Sequence, residues 1–328
     1  MAPLINLLVG STYSVLSFVL IVFNVLVFAT VSRHVEFQTN TYRIIKVMLI
    51  GCLMQLTTHF IGGVMTVTEN TFNHQVERVF GAWIQSGWFL YQGASLTLAV
   101  DRVMIFLSKS GGAHACFVCW SFIAFSFLLA VVYLVVLLIP DFGFSYSHYL
   151  DWFYDNTPGS RSMLTVEEIL DFIILSGILI LYFIVFLCLL KMRKTGTAGI
   201  SSLSVELRIL LIAVVSFVYE CTYLAFFFWG SHLVTNETVN SVATSLLWIV
   251  DCGFFSLATM AINSLKSYKL TKWDIWELDT DAFNKYNKNV TVLAEILETT
   301  TKNPGLTSQI TEMYVATMKQ HTRGILLE

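Results

Sequence analysis

Long stretches without charged side chains dominate this chain. A helix needs about 20 apolar residues to cross the hydrocarbon core of a bilayer. Five stretches of about that length or longer contain no Asp, Glu, Lys or Arg, and two more are broken only by Glu220 and Asp251. In chain order, the seven stretches cover residues 1–32, 47–68, 79–100, 110–140, 172–190, 209–232 and 238–265. They predict seven membrane-spanning helices.

The composition supports the same class of protein. Apolar residues make up 56% of the 328 residues and charged residues only 12%, whereas soluble domains carry about 25% charged residues. The net charge of −3 and the lack of a long basic run argue against a nucleic-acid partner. Cys116 and Cys119 form a CxxC, but both lie in an apolar stretch, where packing is the simpler role. We therefore expect no metal and no cofactor.

Basic residues are distributed very unequally between the two sets of connections. The connections on one side, together with the segment after the seventh stretch, carry twelve: Arg33, Arg43, Lys46, Arg102, Lys109, Lys191, Arg193, Lys194, Arg208, Lys266, Lys269 and Lys272. The other side carries only Arg78 and Arg161. Cytoplasmic loops are the basic ones, so the N-terminus is predicted outside and the C-terminus inside. Asn236, in the sequon Asn-Glu-Thr, is then a glycosylation acceptor on the outer face.

The predicted organisation has three parts. Residues 1–265 form an all-α, seven-transmembrane helix bundle. Residues 266–278 have apolar and basic residues at helical spacing, which predicts a short amphipathic juxtamembrane helix on the inner leaflet. Residues 279–328 form a polar cytoplasmic tail. The longest outer loop, residues 140–168, is rich in aromatic and acidic residues. It is either an interfacial aromatic belt or a lid over a pocket. The acids at its end, Glu167 and Glu168, are expected to lie with Asp171 at the solvated start of a helix.

Several motifs resemble those of rhodopsin-like G-protein-coupled receptors. The pair Asp101-Arg102 directly follows the third stretch. Four single residues also match positions of the family pattern: Asn24, Trp120, Tyr182 and Asn263. The chain departs from the family pattern at Ser264, where the family has a proline. It also lacks the acid expected in the second helix. In length and in its altered motifs it most resembles the nematode serpentine chemoreceptor families.

The resemblance implies a function. The chain is expected to be a non-enzymatic chemosensory receptor in the plasma membrane, with the sensory cilium as one location. Its expected partners are an extracellular small molecule, a heterotrimeric G protein and the lipid bilayer. Homodimerisation is left open. The residues expected to form the G-protein switch are Asp101, Arg102, Glu206, Tyr182 and Asn263.

The partner of Arg102 is the main open point in that switch. Either Asp101 beside it or Glu206, at the inner start of the sixth helix, would hold it in a resting state. A half-exposed pair of this kind is weak enough for a ligand to shift the population. The alternative is that Asp101-Arg102 only marks a helix end at the interface.

The expected ligand site lies between helices in the outer half of the bundle. Acids inside a membrane are functional hypotheses by default. For Asp251, pocket and structural roles are equally supported, whereas Glu220 is expected to be structural. The predicted ligand-binding residues are Gln85, Trp88, Tyr223, Trp248 and Asp251. Asp251 is expected to hold a cationic ligand or, without one, to bond to Gln85 or His59.

Other classes of membrane protein fit the sequence less well. A small-solute transporter or channel subunit is the main alternative, but the two halves show no repeat and no proline lies deep within a span. A retinal protein would need a lysine in the seventh span, and residues 238–265 contain none. An odorant-gated channel of the insect type would have the inverted topology. An enzyme would need a catalytic cluster, and none is visible.

Overall fold

The computed structural model describes residues 2–33, 39–70, 73–107, 113–147, 150–195, 200–230 and 234–258. These residues belong to one compact unit of the chain. They form seven helices: α1 Ala2–Arg33, α2 Asn40–Thr68, α3 His74–Leu107, α4 Ala113–Leu137, α5 Pro158–Thr195, α6 Ile200–Phe228 and α7 Glu237–Ala258. The predicted helical bundle is thus confirmed. The predicted surface helix and tail, residues 266–328, lie outside the described residues.

The connection between α4 and α5 adds a small β-hairpin that the all-α prediction did not include. A 3-10 turn, Pro140–Phe142, leads into β1 Phe144–Tyr146, which pairs antiparallel with β2 Trp152–Tyr154. The end of the bundle that carries this hairpin is called the loop end below. It is the end predicted to face outward.

Six of the described helices, all but α3, are long and apolar enough to cross a membrane. The exception, α3, has 34 residues and is about 51 Å long at 1.5 Å per residue. It is less apolar because it packs against α2, α4 and α5 at the centre of the bundle. Its polar side chains are consequently buried against protein: Gln85, Ser86, Gln92, Ser95 and Thr97. A helix shielded in this way needs no apolar surface for lipid.

The outward faces of the peripheral helices are apolar. Phe117 and Leu128 on α4 and Phe172 and Ile180 on α5 are all at least 60% exposed. A protein surrounded by water rarely exposes contiguous apolar surface of this extent. These faces are suited to contact with lipid.

Close helix contacts hold the centre of the bundle together. A β-carbon added at Gly51 of α2 would come within 2.8 Å of the Gly87 carbonyl oxygen of α3, and one added at Gly87 within 2.9 Å of the Gly51 oxygen. The two backbones therefore touch directly, as small residues allow in membrane helices.

A buried asparagine joins the first helix to the last. The Asn24 amide nitrogen donates to the Cys252 carbonyl oxygen at 3.4 Å, and the Ser256 hydroxyl donates to its amide oxygen at 2.8 Å. Since α1 and α7 are the two ends of the described chain, these bonds close the ring of helices. Asn24 is one of the residues on which the receptor resemblance rests.

The start of α5 corrects one sequence expectation. The helix begins at Pro158, well before the charge-free stretch at residue 172. Glu167 and Asp171 therefore lie inside the helix, and only 5% and 1% of their surfaces are exposed. The expectation of a solvated helix start was therefore wrong for these two acids, and Glu168 is exposed but also lies inside the helix. Charged groups mark where an apolar run ends, but not where a helix ends.

Candidate ligand site and Asp-Arg network

The hairpin covers the loop end of the bundle with aromatic side chains. Phe144 pairs with Tyr154 and Tyr146 with Trp152, and all four are buried, because alternate residues of a strand point to the same face. The Tyr146 hydroxyl is hydrogen-bonded to the Thr66 hydroxyl of α2 at 2.6 Å. This inward burial corresponds to the lid interpretation of the loop and not to a lipid-facing aromatic belt.

An aromatic cluster lies within the bundle on α3, α6 and α7. The ring of Trp88 meets those of Tyr223 and Trp248 nearly edge-on, with centroids 5.8 and 6.0 Å apart. Tyr223 and Trp248 are themselves 6.2 Å apart. The structure therefore brings together three of the residues predicted for the ligand site.

Two acids of α5 bind polar groups on α3. The Gln85 amide nitrogen donates to both carboxylate oxygens of Glu167, at 3.2 and 3.0 Å. The Trp88 indole nitrogen donates to Asp171 Oδ1 at 3.2 Å. In the part of the chain that the structure describes, neither acid forms an ion pair. Glu167 and Asp171 thus place two acidic groups beside the aromatic cluster, with no basic side chain paired to either among the described residues.

Sequence reasoning missed Glu167 and Asp171 as site residues, although a signal was present. They are four residues apart, which places them on one face of a helix. Gln85 and Trp88, three residues apart, likewise share a face of α3. The missing step was to extend α5 beyond its charge-free part.

Polar contacts also organise the α7 side of the cluster. The Trp248 indole nitrogen donates to the Gln55 amide oxygen at 2.7 Å, and the Cys252 thiol approaches the same oxygen at 3.4 Å. The ring of His59 packs edge-on against Trp248, with centroids 5.1 Å apart. Gln55 of α2 thus fixes the orientation of a predicted ligand-site residue.

Asp251 lies about one helical turn beyond Trp248, away from the loop end, and is 2% exposed. It interacts electrostatically with Cys52 and Glu220. The partners expected for it are otherwise engaged, since Gln85 binds Glu167 and His59 packs on Trp248. Asp251 therefore lies deeper than the acids of α5, and its ligand role stays a prediction.

Glu220 borders a small cavity in the middle of the bundle. The cavity has a volume of about 10 Å³ and is also lined by Tyr91, Tyr182 and Ser216. One carboxylate oxygen of Glu220 has no hydrogen-bond partner among the described residues. A space of this size holds about one water molecule, so it is too small for an organic ligand.

At the other end of α3, Asp101 and Arg102 form a buried ion pair. Arg102 Nη2 lies 2.8 Å from Asp101 Oδ2. Arg102 is only 1% exposed and Asp101 only 5%. The Thr41 hydroxyl of α2 donates to Asp101 Oδ2 at 2.7 Å and accepts a hydrogen bond from Arg102. The Cys119 thiol of α4 approaches Asp101 Oδ1 at 3.6 Å. The sequence predicted a half-exposed pair, and this prediction was wrong because both residues are buried.

The remaining switch residues are distributed as follows. Tyr182 of α5 is buried, borders the Glu220 cavity and interacts electrostatically with both Glu220 and Arg102. Glu206 lies in α6, but its side chain is outside the described residues. Asn263 lies outside them altogether. The structure therefore shows Asp101 as a partner of Arg102 and leaves Glu206 as a prediction.

Asn236 occupies the turn that starts α7. Its side-chain oxygen accepts a hydrogen bond from the Val239 backbone N–H at 3.2 Å, which caps the helix. The residue is exposed. An exposed cap at a helix start is accessible to modification, and the glycosylation prediction stays a prediction.

No group of three or more metal-ligating side chains is found in the described ranges. All six cysteines are free thiols. The site therefore consists of aromatic rings, amides and carboxyl groups.

The comparisons with known proteins bear on the fold. No family model matches the chain, and no curated protein matches it. Among solved structures, the crystal structure of squid rhodopsin is similar, with a TM-score of 0.66 over 83% of each chain and 14% sequence identity. The chain therefore has a rhodopsin-like seven-helix fold. At this identity the likeness shows the fold alone, and the nematode chemoreceptor subtype stays a prediction.

Proposed function

We propose that this chain is a G-protein-coupled chemosensory receptor. It binds a small molecule at the loop end and activates a heterotrimeric G protein at the end that carries Arg102. The single observation that supports this best is the buried network of Asp101, Arg102 and Thr41 in a rhodopsin-like fold. A buried ion pair is weak support for stability as such, which favours a functional reason for its presence. The fold does not favour the transporter or channel alternative.

The network has the properties of a two-state element. Three helices contribute to it, since Thr41 comes from α2, the ion pair from α3 and the Cys119 thiol from α4. Removing one partner of a buried pair costs about 3–5 kcal/mol because the other charge is left unpaired. A helix movement that separates Thr41 from the pair would expose Arg102 to a partner protein. The resting bundle therefore holds Arg102 back from the G protein.

The ligand site proposed for this receptor lies beneath the hairpin. Aromatic rings supply apolar contact area, and a few polar groups fix the orientation of a ligand. The rings are those of Trp88, Tyr223 and Trp248, and the polar groups are the Gln85 amide and the Asp171 carboxylate. Since Trp88 is on α3, a ligand that moves it acts on the helix that carries Arg102.

The proposal is tested in cells that express the chain with an epitope tag. A library of small molecules is screened for ligand-dependent changes in second messengers. The Arg102→Ala variant is expected to abolish the response. Arg102→Lys keeps the charge but replaces the guanidinium nitrogen that binds both Asp101 and Thr41 with an ammonium group on a shorter, unbranched side chain, and is expected to reduce the response strongly. Arg33→Ala is the matched control, because Arg33 is exposed at the end of α1.

Two results would contradict the proposal. One is an unchanged response in Arg102→Ala at matched surface level. The other is a ligand-dependent ion current or solute flux without a second-messenger signal, which would favour a channel or transporter.

Two further experiments test where the chain lies and whether it pairs. Imaging of the tagged chain in a ciliated sensory cell tests the plasma membrane and the cilium as its location. Resonance energy transfer between two tagged copies tests homodimerisation.

A further inference from the structure

A cleft separates the loop-end halves of α5 and α6. Its volume is about 580 Å³, within the range of small-molecule sites. Its walls are mainly apolar. They include Phe172, Leu175 and Leu179 on α5, and Phe217, Leu224 and Phe228 on α6. The size and the lining suit an apolar molecule of moderate length.

The cleft opens sideways, towards the side of the bundle that lipid would occupy. Phe172, Ile173 and Leu179 on its α5 wall are 66%, 59% and 57% exposed. Both helices belong to those apolar enough to cross a membrane. A molecule dissolved in the bilayer would therefore reach this cleft without crossing water.

One acid lies at the inner wall of this apolar cleft. Asp171 lines it and is only 1% exposed. Its Oδ1 accepts the bond from Trp88, and its Oδ2 has no hydrogen-bond partner among the described residues. A second acid, Glu168, lines the cleft and is exposed. A buried carboxylate oxygen left without a hydrogen bond is costly, so the cleft offers a place for a donor group.

Access from the loop end is more restricted. The hairpin places Phe144, Tyr146, Trp152 and Tyr154 in buried positions over the bundle, and Tyr146 is tied to α2 through Thr66. These contacts cover the loop end above α2 and α3, whereas the cleft is open along its α5 wall.

We propose that the α5–α6 cleft binds a lipophilic amine taken up from the bilayer. The ammonium group donates to Asp171, and the hydrocarbon part lies along Phe172, Leu179 and Phe228. Because Asp171 also holds Trp88, the bound amine changes the contact between α5 and α3. This inference deepens the proposed function by naming a ligand class, and its signalling consequence rests on that function. Binding itself does not.

Photolabelling of the full chain in lipid nanodiscs tests the site. The probes are dodecylamine with a diazirine in its chain and the matching diazirine dodecanol. We expect the amine to label peptides of α5 and α6 saturably. Asp171→Asn is expected to reduce labelling by the amine about tenfold and to spare the alcohol. Ala225→Phe, which fills the cleft from α6, is expected to reduce labelling by both probes. Asp171→Glu, which keeps the acid, should retain the preference for the amine.

Matched controls separate the cleft from other sites. Val218→Phe adds the same bulk to α6 at an exposed position outside the cleft, and should leave labelling unchanged. Glu237→Gln removes an exposed acid outside the cleft and should also leave labelling unchanged, whereas Asp251→Asn tests the alternative cation site at α7. Gel filtration confirms that each variant is folded.

Three results would overturn the proposal. Equal labelling by amine and alcohol, insensitive to Asp171→Asn, would mean that ordinary lipid occupies the cleft. Loss of amine labelling in Asp251→Asn alone would place the cation site at α7. Labelling outside α5 and α6 would exclude the cleft. Intact, acid-dependent labelling in a chain that gives no second-messenger signal would instead contradict the proposed receptor function and keep the site.

Discussion

At the scale of single residues, the arrangement around Arg102 differs from a simple surface pair. Its guanidinium group is buried and is bound by Asp101 from its own helix and by Thr41 from α2. Asp101 in turn accepts from Thr41, so each of the three groups in this set bonds to the other two. Because these bonds tie Arg102 to α2 and to its own helix, the resting state is expected to depend on Thr41 and Asp101.

Thr41→Val is the smallest change that tests this set. Valine keeps the shape of threonine but removes the hydroxyl group that both Asp101 and Arg102 use. Hydrogen bonds to charged groups contribute about 1.5–3 kcal/mol, so the resting state should lose at least part of that, and basal signalling is expected to rise about tenfold. Basal second-messenger level at matched surface expression is the measurement. Thr30→Val, on α1, is the control because the Thr30 hydroxyl donates to the Leu26 carbonyl oxygen of its own helix.

Glu206→Ala tests the alternative partner. If Glu206 holds Arg102 in the resting state, its removal raises basal signalling through freed Arg102. The same assay measures this variant beside Thr41→Val. A rise with Glu206→Ala and none with Thr41→Val would show that the Thr41 set does not keep the receptor at rest.

The acids of the bundle allow a direct comparison at the same scale. The sequence pointed to Asp251 as the group that holds a cationic ligand, whereas the structure adds Asp171, which is nearer the loop end and borders a large cleft. For an amine agonist, Asp171→Asn is expected to shift the dose–response curve at least about tenfold, or about 1.4 kcal/mol. A neutral agonist should be unaffected. A larger shift with Asp251→Asn than with Asp171→Asn would favour the prediction made from sequence.

At the scale of elements, the hairpin is the part of the structure that most changes the expected site. It is only three residues long on each strand, and two-stranded hairpins are marginal alone. Its stability must therefore come from contacts with the bundle. Phe144 packs its backbone against Gly81 of α3, and Tyr146 bonds to Thr66 of α2.

Gly81→Ala is expected to displace the hairpin. An added β-carbon would collide with the carbonyl oxygen of Phe144, which is backbone and cannot rotate away. Overpacking of this kind costs about 1–3 kcal/mol. Faster proteolysis between Tyr146 and Trp152 and a lower unfolding temperature are the expected results. Gly177→Ala is the matched control, since a β-carbon there makes only an ordinary contact with Leu96 at 3.5 Å. Equal behaviour of the two variants would contradict the packing described for the hairpin.

At the scale of the whole molecule, the direction of the bundle across the membrane follows from charge and not from contacts. Twelve basic residues on one side and two on the other predict an outside N-terminus and an inside C-terminus. An epitope tag at Met1 should stain intact cells, and one after Glu328 should stain only permeabilised cells. The reverse pattern would contradict the proposed receptor function.

Glycosylation gives an independent measure of the same topology. Asn236 should carry a glycan, seen as a mobility shift that a glycosidase removes, whereas the second sequon, at Asn289, should not. Thr238→Ala removes the Asn236 sequon while keeping the cap of α7, and Asn236→Asp removes the acceptor but retains a capping side chain. Both should lose the shift without losing surface expression. A glycan at Asn289 would place the tail outside.

Much of this molecule was determined by local sequence. Seven apolar stretches specify seven helices because a chain in lipid must satisfy its backbone hydrogen bonds within each span, and the basic residues predict a direction. Trp88, Tyr223 and Trp248 were predicted as ligand-site residues from their places along the spans, and the structure shows that their rings contact one another. The tertiary structure alone decided the burial of the Asp101–Arg102 pair, its bond to Thr41, the inward fold of the hairpin and the pairing of Gln85 with Glu167 and of Trp88 with Asp171. Each of these contacts joins residues far apart in sequence or depends on the rotation of one helix against another. Hydropathy sets the length of a helix but not which of its polar groups meets a partner.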